Sequence, residues 1–213
     1  MIKVEAISVT DMYAAIRGMR NPMNSWGKMD SKEVYDVGRN RMDCIVGEND
    51  MDLMRRLYKG GPVHAKYLRQ IHVSMDIVCH HTWWAEFDTY KVATVRNSCS
   101  KMHKIHVKPF ELADFSHEGV NEVGGRTMSV YLLYLKQLER LRNKFNETQE
   151  KKYWRAIIDM LPMGFNIRAT VSMNYQTVMN ILDWRSNHKV DEWVEYCNIL
   201  RELPYIKEIR GEK

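Results

Sequence analysis

Between Met173 and Glu192 the sequence combines an arginine, a histidine and asparagines with apolar residues at helical spacing. In a helix, which turns about 100° per residue, Val178, Ile181 and Arg185 lie within about 40° of Asn174. One helix face would then carry both apolar side chains and a permanent cation. Because burying an unpaired guanidinium costs several kcal/mol, this face requires an anionic or polar partner for Arg185.

Two kinds of partner for Arg185 are compatible with the sequence. A neighbouring carboxylate, Asp183 or Asp191, would make the arginine a structural charge. A bound anion would make it a ligand-binding residue, because a guanidinium donates several hydrogen bonds to planar oxygen acceptors. Residue spacing is compatible with both, and both remain open.

A second polar segment, Thr94 to Lys104, has residues that could hold a phosphate or a carboxylate. It contains the cations Arg96, Lys101 and Lys104 among hydroxyl, thiol and amide side chains. Cations combined with short hydrogen-bond donors are typical of anion sites. The same composition is typical of a solvated surface loop, so the residue types support either interpretation.

The elements that would position these residues follow from hydrophobic periodicity. Residues Ile71 to Cys79 and Phe165 to Met173 alternate between apolar and polar side chains, which predicts two strands with one buried face each. The second strand leads directly into the helix that contains Arg185. A strand at Ile2 to Val9 and a helix at Met12 to Met19 open the chain.

Further helices are predicted from the same periodicity, and the segment Val107 to Arg126, with its proline and glycines, is predicted to be irregular. The predicted helices are Asp50 to Tyr58, Trp83 to Lys91, Thr127 to Gln149 and Glu150 to Met160. The apolar stripe of the longest is Val130, Tyr134, Leu138, Leu141 and Phe145. Together these elements predict an α+β fold in which an antiparallel or mixed sheet packs with long helices.

Composition limits the classes of protein to which the chain can belong. With 213 residues, 45% of them hydrophobic and 28% charged, it is expected to form a single globular domain over residues 1–213. No run approaches the roughly 18 apolar residues that a membrane span needs, so a cytoplasmic protein is expected. The net charge of +5 fits an anionic ligand.

The spacing of cysteines and histidines gives no metal signature. The four cysteines contain no C-x-x-C pair. The pairs His80-His81 and His103-x-x-His106 have no third and fourth ligand at a usual spacing. No bound metal is expected.

The order of the motifs resembles the flavin-dependent thymidylate synthase family. In that family a H-x-x-x-x-E-H motif precedes a strand, which leads to a Q-x-x-R-H-R-x-x-S-x-N-E-x-S-x-R signature. A leucine-proline pair then ends a helix before a closing Asn-(x)10-Arg segment. The corresponding pieces here are His64, the Ile71 to Cys79 strand, Glu86 to Lys101, Leu161-Pro162, and Asn174 with Arg185.

The signature is altered in this chain. Its R-H-R-x-x-S portion reads Thr89-Tyr90-Lys91-Val92-Ala93-Thr94, and its N-E-x-S-x-R portion reads Arg96 to Lys101. Glu86 stands at the signature glutamine. Lys91 and Lys101 keep the charge of two arginines but not their bidentate hydrogen bonding.

The resemblance implies a FAD-dependent enzyme that makes dTMP from dUMP with methylenetetrahydrofolate and NADPH, assembled as a homotetramer. It implies that Arg185 is the catalytic residue and stabilises negative charge on the pyrimidine. The implied substrate-binding residues are Glu86, Thr89, Cys99, Ser100, Lys101 and Arg185. The implied flavin-binding residues are Tyr90, Lys91, Val92, Asn174, Asn180 and His188. In a tetramer, residues such as Lys101 and Arg185 could meet at a subunit interface.

Two other functions fit parts of the sequence. A protein of the same fold with this altered signature could bind a nucleotide or a flavin with altered or no synthase activity. An unrelated basic module could instead bind nucleic acid through Arg96, Lys101, Lys104 and Lys108. The resemblance favours the enzyme, with dUMP or a related nucleotide as its partner and with neither nucleic acid nor a membrane.

Overall fold

The computed structural model describes residues 1–38 and 40–212. Its strands are β1 (Lys3–Thr10), β2 (Lys32–Asp36), β3 (Arg41–Ile45), β4 (His72–His80), β5 (Val95–Ser98) and β6 (Asn166–Asn174). Its α-helices are α1 (Met12–Met19), α2 (Glu48–Lys59), α3 (His81–Phe87), α4 (Lys101–Lys104), α5 (Glu118–Val123), α6 (Gly125–Thr148), α7 (Lys151–Met160), α8 (Tyr175–Arg185), α9 (Asp191–Arg201) and α10 (Ile206–Arg210). Short 3-10 turns lie at Asn21–Met23, Trp26–Lys28, Lys66–Arg69 and Leu112–Asp114.

Within the described residues, the strands form two sheets. The strands of the larger sheet follow the order β1-β4-β6-β5. The smaller sheet is an antiparallel hairpin of β2 and β3, in which Lys32 lies opposite Ile45 and Asp36 opposite Arg41. The predicted α+β class, with a sheet packed with long helices, is confirmed.

The backbone forms two compact units, each made of separate stretches of chain. The first unit comprises Met1–Lys3, Asp76–Thr89 and Arg96–Thr170. The second unit comprises Val4–Met75, Tyr90–Val95 and Val171–Lys213. The single domain over residues 1–213 stays a prediction.

Strands β4 and β6 show the predicted alternation, with bounds one residue later than the sequence indicated. Every second side chain is buried, because one face of each strand contacts the core and the other does not. The buried side chains are Val73, Met75, Ile77 and Cys79 in β4, and Ile167, Ala169, Val171 and Met173 in β6.

Two segments of the first unit differ from the prediction. Helix α3 ends at Phe87 rather than Lys91, and the segment expected to be irregular contains helix α5. The rings of Trp83, Trp84 and Phe87 pack with their centres 5.0, 5.1 and 5.4 Å apart. The two residues that follow are exposed, so α3 ends where its buried aromatic face ends.

Helix α6 has its buried face one position away from the predicted stripe. Leu138 is fully buried as expected, but Val130 is 57% exposed, and the other buried residues of the helix are Leu135 and Arg142. Glu139 accepts hydrogen bonds from Nε and Nη2 of Arg142 at 2.8 and 2.6 Å. A buried cation is tolerated because this carboxylate pairs with it, which hydrophobic periodicity could not predict.

A buried ion pair joins helix α2 to the segment before β2 in the second unit. Arg20 Nε donates to Asp50 Oδ1 at 2.6 Å, and both side chains are buried. Asp50 Oδ2 accepts from Ser31 N and Oγ at 2.9 and 2.6 Å and from Asp30 N at 3.0 Å. Burial would raise the pKa of Asp50, but these hydrogen bonds outweigh it and hold the pKa below its usual value.

Helix α8 begins where strand β6 ends. Asn174, the last residue of β6, has an extended backbone, and its Oδ1 accepts from Thr177 N at 3.0 Å. This cap satisfies one of the N–H groups that a helix leaves without a partner at its first turn. It fixes the first turn of α8 and therefore the rotation of Arg185 at its other end.

Replacing Asp50 removes the acceptor of four hydrogen bonds from the core of the second unit. We expect Asp50→Asn to lower the free energy of unfolding by about 3 to 5 kcal/mol, because it leaves Arg20 buried without a carboxylate. Since folding lowers the pKa of Asp50, its stabilisation is present above the usual aspartate pKa of about 3.9 and is lost as the pH falls through the folded value. The variant should lack this acid-dependent loss.

Asp52→Asn on the same helix is the matched control, because Asp52 pairs with Arg56 at 2.9 Å on the exposed surface. It should change stability by less than about 1 kcal/mol. Urea denaturation at pH 7 and at a pH well below the usual aspartate pKa of about 3.9 measures both variants. Equal stability of the two at pH 7 would contradict the role of the buried pair.

Removing the cap of α8 gives a second test of the fold. We expect Asn174→Ala to lower the free energy of unfolding by about 1 kcal/mol. Asn174→Ser keeps an acceptor oxygen and should retain most of the stabilisation that the cap contributes. Asn180→Ala, at an exposed position of α8, should change it by less than about 0.5 kcal/mol. Denaturant titration of the three variants measures the effect, and equal stability of the Asn174 variants would refute the cap.

Candidate functional site

Arg185, the last residue of α8, holds its guanidinium among aromatic side chains. Its Nε donates to Tyr90 Oη at 3.0 Å, and its Nη1 lies 2.9 Å from His188 Nε2. The guanidinium carbon is 4.8 Å from the centre of the buried Trp193 ring and 5.7 Å from that of Tyr90. These contacts fix the plane of the guanidinium, because cation–π attraction and a directional hydrogen bond act on it together.

The structure thus brings Arg185, Tyr90 and His188 together, as the resemblance implied, and adds Trp193. Sequence reasoning did not include Trp193 in the site. It lies on α9, where Trp193, Tyr196, Cys197 and Leu200 are buried at helical spacing. That spacing identifies Trp193 as a core residue, but nothing in it indicates contact with an arginine from another helix.

His188 is contacted by a donor at each of its ring nitrogens. Val190 N donates to Nδ1 at 3.2 Å, while Arg185 Nη1 faces Nε2 at 2.9 Å. A neutral imidazole has only one acceptor nitrogen, and the guanidinium and the backbone N–H can only donate. The proton position on the ring therefore decides which of the two contacts is a hydrogen bond.

The segment Tyr90–Val95 is attached to both ends of α8. At the first turn of the helix Thr177 Oγ1 donates to Val92 O at 3.2 Å, and at the last turn Arg185 bonds Tyr90. Between these attachments Lys91 is exposed. The predicted flavin residues Tyr90, Val92, Asn174 and His188 therefore all belong to the surroundings of α8.

Asn180 lies on the exposed side of α8 beside an amide that sequence reasoning missed. Gln176 Nε2 donates to Asn180 Oδ1 at 3.1 Å, and Gln176 Oε1 is buried with no hydrogen-bond partner among the described residues. A buried carbonyl oxygen without a donor is unfavourable, and the N–H group at the pyrimidine-like edge of a flavin ring is one donor that would satisfy it. These residues therefore fit a flavin. Gln176 could have been predicted from its position one helical turn before Asn180, which puts both side chains on the same helix face.

The remaining predicted substrate residues belong to the first unit. Thr89 Oγ1 donates to Glu86 O at 2.7 Å, and Ser100 Oγ caps helix α4 by accepting from His103 N at 3.4 Å. Cys99 is exposed and Lys101 is partly buried. Burial lowers the pKa of Lys101, and the charge of Arg96 lowers it further. The substrate roles of these residues stay predictions.

Two alternatives from the sequence can be placed in the structure. Asp183, one of the carboxylates considered for Arg185, instead accepts from Arg210 Nη1 at 2.7 Å. In the basic patch considered for nucleic acid, Arg96 is paired with Asp88 and Lys108 with Asp114. These carboxylates reduce the positive charge of the patch.

Residues 1–38 and 40–212 contain neither a cluster of metal ligands nor a membrane-spanning helix. No cluster of three or more His, Cys, Asp or Glu side chains in this part of the chain could hold a metal ion. Over the same residues, no helix combines the length and the apolar character that crossing a bilayer requires.

Comparison with known proteins gives matches in structure. No family model matches the sequence, and no curated protein matches it. One solved structure, thymidylate synthase X (ThyX) from Helicobacter pylori with FAD and dUMP, matches at a TM-score of 0.66 and 16% identity, covering 98% of this chain and 96% of that chain. Another, flavin-dependent thymidylate synthase ThyX from Helicobacter pylori complexed with FAD and dUMP, matches at a TM-score of 0.67 and 16% identity. This match covers 99% of this chain and 100% of that chain.

The similarity extends over nearly the full length of both chains, and its TM-scores are those of a shared fold. At 16% identity, this structural similarity is evidence for a shared fold alone. The chain therefore has the fold of flavin-dependent thymidylate synthases, as its motif order indicated.

Proposed function

We propose that the chain is a FAD-dependent thymidylate synthase that converts dUMP to dTMP by reductive methylation, with methylenetetrahydrofolate and NADPH as co-substrates. The observation that carries the proposal is the fixed guanidinium of Arg185, at the helix end where the family resemblance expects its pyrimidine-binding arginine. The fold shared with ThyX structures that contain FAD and dUMP supports it.

Arg185 is suited to electrostatic stabilisation of a bound pyrimidine. Its charge is permanent, and the buried ring of Trp193 on one side limits its hydration. A preorganised cation in such surroundings stabilises negative charge that develops on a ring carbonyl oxygen. The nearby His188 ring, when its proton is on Nε2, would donate to the same oxygen. Arg185 therefore binds and polarises the base and transfers no proton.

The residues around α8 are proposed to hold FAD. Gln176 and Asn180 offer amide groups to the polar edge of the ring system, and Tyr90 offers an aromatic ring beside Arg185. FAD, when bound and reduced, supplies the hydride. The chain's own part is to position the flavin beside the base and to hold the base through Arg185.

Assembly and location are proposed from the resemblance. A homotetramer is supported by large apolar side chains on the surface of the second unit, where Val92 is 86% exposed and Trp184 is 80% exposed. A cytoplasmic location is proposed on the resemblance alone.

A second function, nucleotide or flavin binding with altered or no synthase activity, is favoured by one specific observation. Lys91 stands at a signature arginine and is exposed, so it offers a point charge in place of a bidentate donor. Rescue of a thymidine-requiring bacterium separates the two functions. Growth without thymidine supports the synthase, whereas soluble expression without growth supports the binding protein.

Replacing Arg185 tests its assigned role. We expect Arg185→Ala to weaken dUMP binding by about tenfold or more, because the ligand loses a charged hydrogen-bond donor. Arg185→Lys keeps the charge but not the planar donor group and should give an intermediate affinity. Calorimetric titration of the FAD-loaded protein with dUMP measures the change.

Arg155→Ala is the control for charge, because Arg155 is exposed on α7 and pairs with Asp159 at 3.1 Å. It should bind dUMP as the unchanged protein does. Circular dichroism checks that each variant is folded. Unchanged dUMP affinity in a folded Arg185→Ala protein would remove Arg185 from the substrate site.

A further inference from the structure

The last turn of α8 carries a carboxylate that a helix end does not favour. Asp183 lies two residues before Arg185, where the partial negative charge of the helix C-terminus is concentrated. Arg210, the last residue of α10, offsets this charge, because its Nη1 donates to Asp183 Oδ1 at 2.7 Å. Nη1 also donates to Tyr58 Oη of α2 at 3.1 Å. Arg210 therefore ties the end of α8 to two other helices.

The residue that follows α8 is held by a second arginine. Ser186 Oγ donates to Leu182 O, a carbonyl group of the last helical turn, at 2.5 Å. The same hydroxyl oxygen accepts from Nη2 of Arg201, the last residue of α9, at 2.7 Å. Helix ends fray because their last carbonyl groups lack partners, and these contacts oppose fraying. Arg185 lies between the two attached positions, Asp183 and Ser186.

Glu212 joins the two arginines, and the end of α10 places it there. Gly211 has a φ of +72°, the left-handed conformation that glycine favours. The N–H groups of Gly211 and Glu212 donate to carbonyl oxygens of α10 at 3.3 and 2.9 Å, the pattern of a Schellman helix end. The chain thus turns back, and Glu212 Oε1 accepts from Arg210 Nε at 2.5 Å. Its Oε2 lies 3.7 Å from Arg201 Nε.

We propose that Arg210 and Arg201, bridged by Glu212, are positioning residues that hold Arg185 in the orientation from which it binds its ligand. Each acts through the residue beside Arg185 to which it is bonded. The cap at the start of α8 sets the rotation of the helix, whereas this cluster keeps its last turn from fraying. That Arg185 binds a pyrimidine rests on the proposed function, and the hold on the last turn does not.

Orientation matters because a guanidinium donates along fixed directions. Arg185 Nε donates to Tyr90 Oη at 3.0 Å, which fixes one edge of its plane. If the last turn frays, the remaining donors lose their alignment with a bound base. The free energy of ordering them again is then subtracted from the free energy of binding. Loss of the cluster should therefore weaken ligand binding although Arg185 is still present.

Hydrogen exchange of the full chain tests the hold on α8 without any ligand. Arg210→Gln removes the charge, and Glu212→Gln is the milder change that serves if Arg210→Gln does not fold. Arg55→Gln is the matched control, because Arg55 of α2 is exposed and donates to α10, at Glu208 O, at 2.7 Å. It removes an arginine contact of α10 that does not involve α8.

We expect the backbone amides of residues 183–188 to exchange about fivefold faster or more in Arg210→Gln, because local opening of the last turn becomes easier. Glu212→Gln should give a smaller increase in the same amides. Arg55→Gln should leave their exchange unchanged. Circular dichroism checks that each variant is folded.

Calorimetric titration of the FAD-loaded chain with dUMP separates positioning from general stability. Arg210→Gln should weaken dUMP binding by about fivefold or more when Arg185 is present. In an Arg185→Ala background the same change should have little further effect, because the residue that it positions is gone. A merely structural role would lower the affinity equally in both backgrounds. Arg210→Lys keeps the charge and should restore part of the affinity.

Unchanged exchange of residues 183–188 in folded Arg210→Gln and Glu212→Gln would overturn the proposal. So would an equal loss of dUMP affinity with and without Arg185. Faster exchange in variants of a chain that binds no dUMP would keep the hold on α8 and reject the thymidylate synthase. Binding of dUMP that depends on Arg185 but not on Arg210 would do the reverse.

Discussion

The geometry of the Arg185 site depends on a single junction, where strand β6 becomes helix α8 without a loop. Asn174 ends the strand and caps the helix through its contact with Thr177. A helix that began one residue earlier or later would turn Arg185 by about 100° and point it away from Tyr90 and Trp193. In the same first turn, Thr177 donates a hydrogen bond to Val92 O. The cap therefore positions α8 for both of its contacts with the Tyr90–Val95 segment, Thr177 with Val92 and Arg185 with Tyr90.

Aromatic side chains hold the guanidinium of Arg185 in place. Tyr90 stands at the signature histidine between Thr89 and Lys91, and it both stacks near Arg185 and accepts its hydrogen bond. Trp193 completes the contact from α9. An arginine held between rings loses little conformational freedom when a ligand binds, which favours tight and oriented binding. In the first unit Arg96 is held in the same way by Trp84.

Sequence alone predicted the elements that follow from local periodicity. The alternation in β4 and β6 and the passage from β6 into α8 are found in the structure because the side chains of adjacent residues determine them. The buried face of α6 differs from the predicted stripe because it includes Arg142, which pairs with Glu139. Hydrophobic spacing cannot predict such a charge interaction. The end of α3 was placed too late because its buried aromatic face stops at Phe87.

For the site, the residues were easier to predict than their contacts. Motif order placed Arg185, Tyr90 and His188 in one site, and the structure brings them together. Trp193, Gln176 and the Trp84–Arg96 contact were missed, because each depends on a neighbour from another element or on a polar atom left without a partner. Asp183 was considered for Arg185 on sequence proximity, yet its partner is Arg210, which lies 27 residues away.

If the chain is a flavoprotein, as we propose, the purified full chain binds FAD, which titration with FAD measures. Flavin absorbance and fluorescence report binding, and unfolding by circular dichroism verifies that the protein is folded. We expect saturable binding of about one FAD per chain, with a shifted flavin absorption band. A folded chain that leaves the absorbance and fluorescence of added FAD unchanged would contradict it.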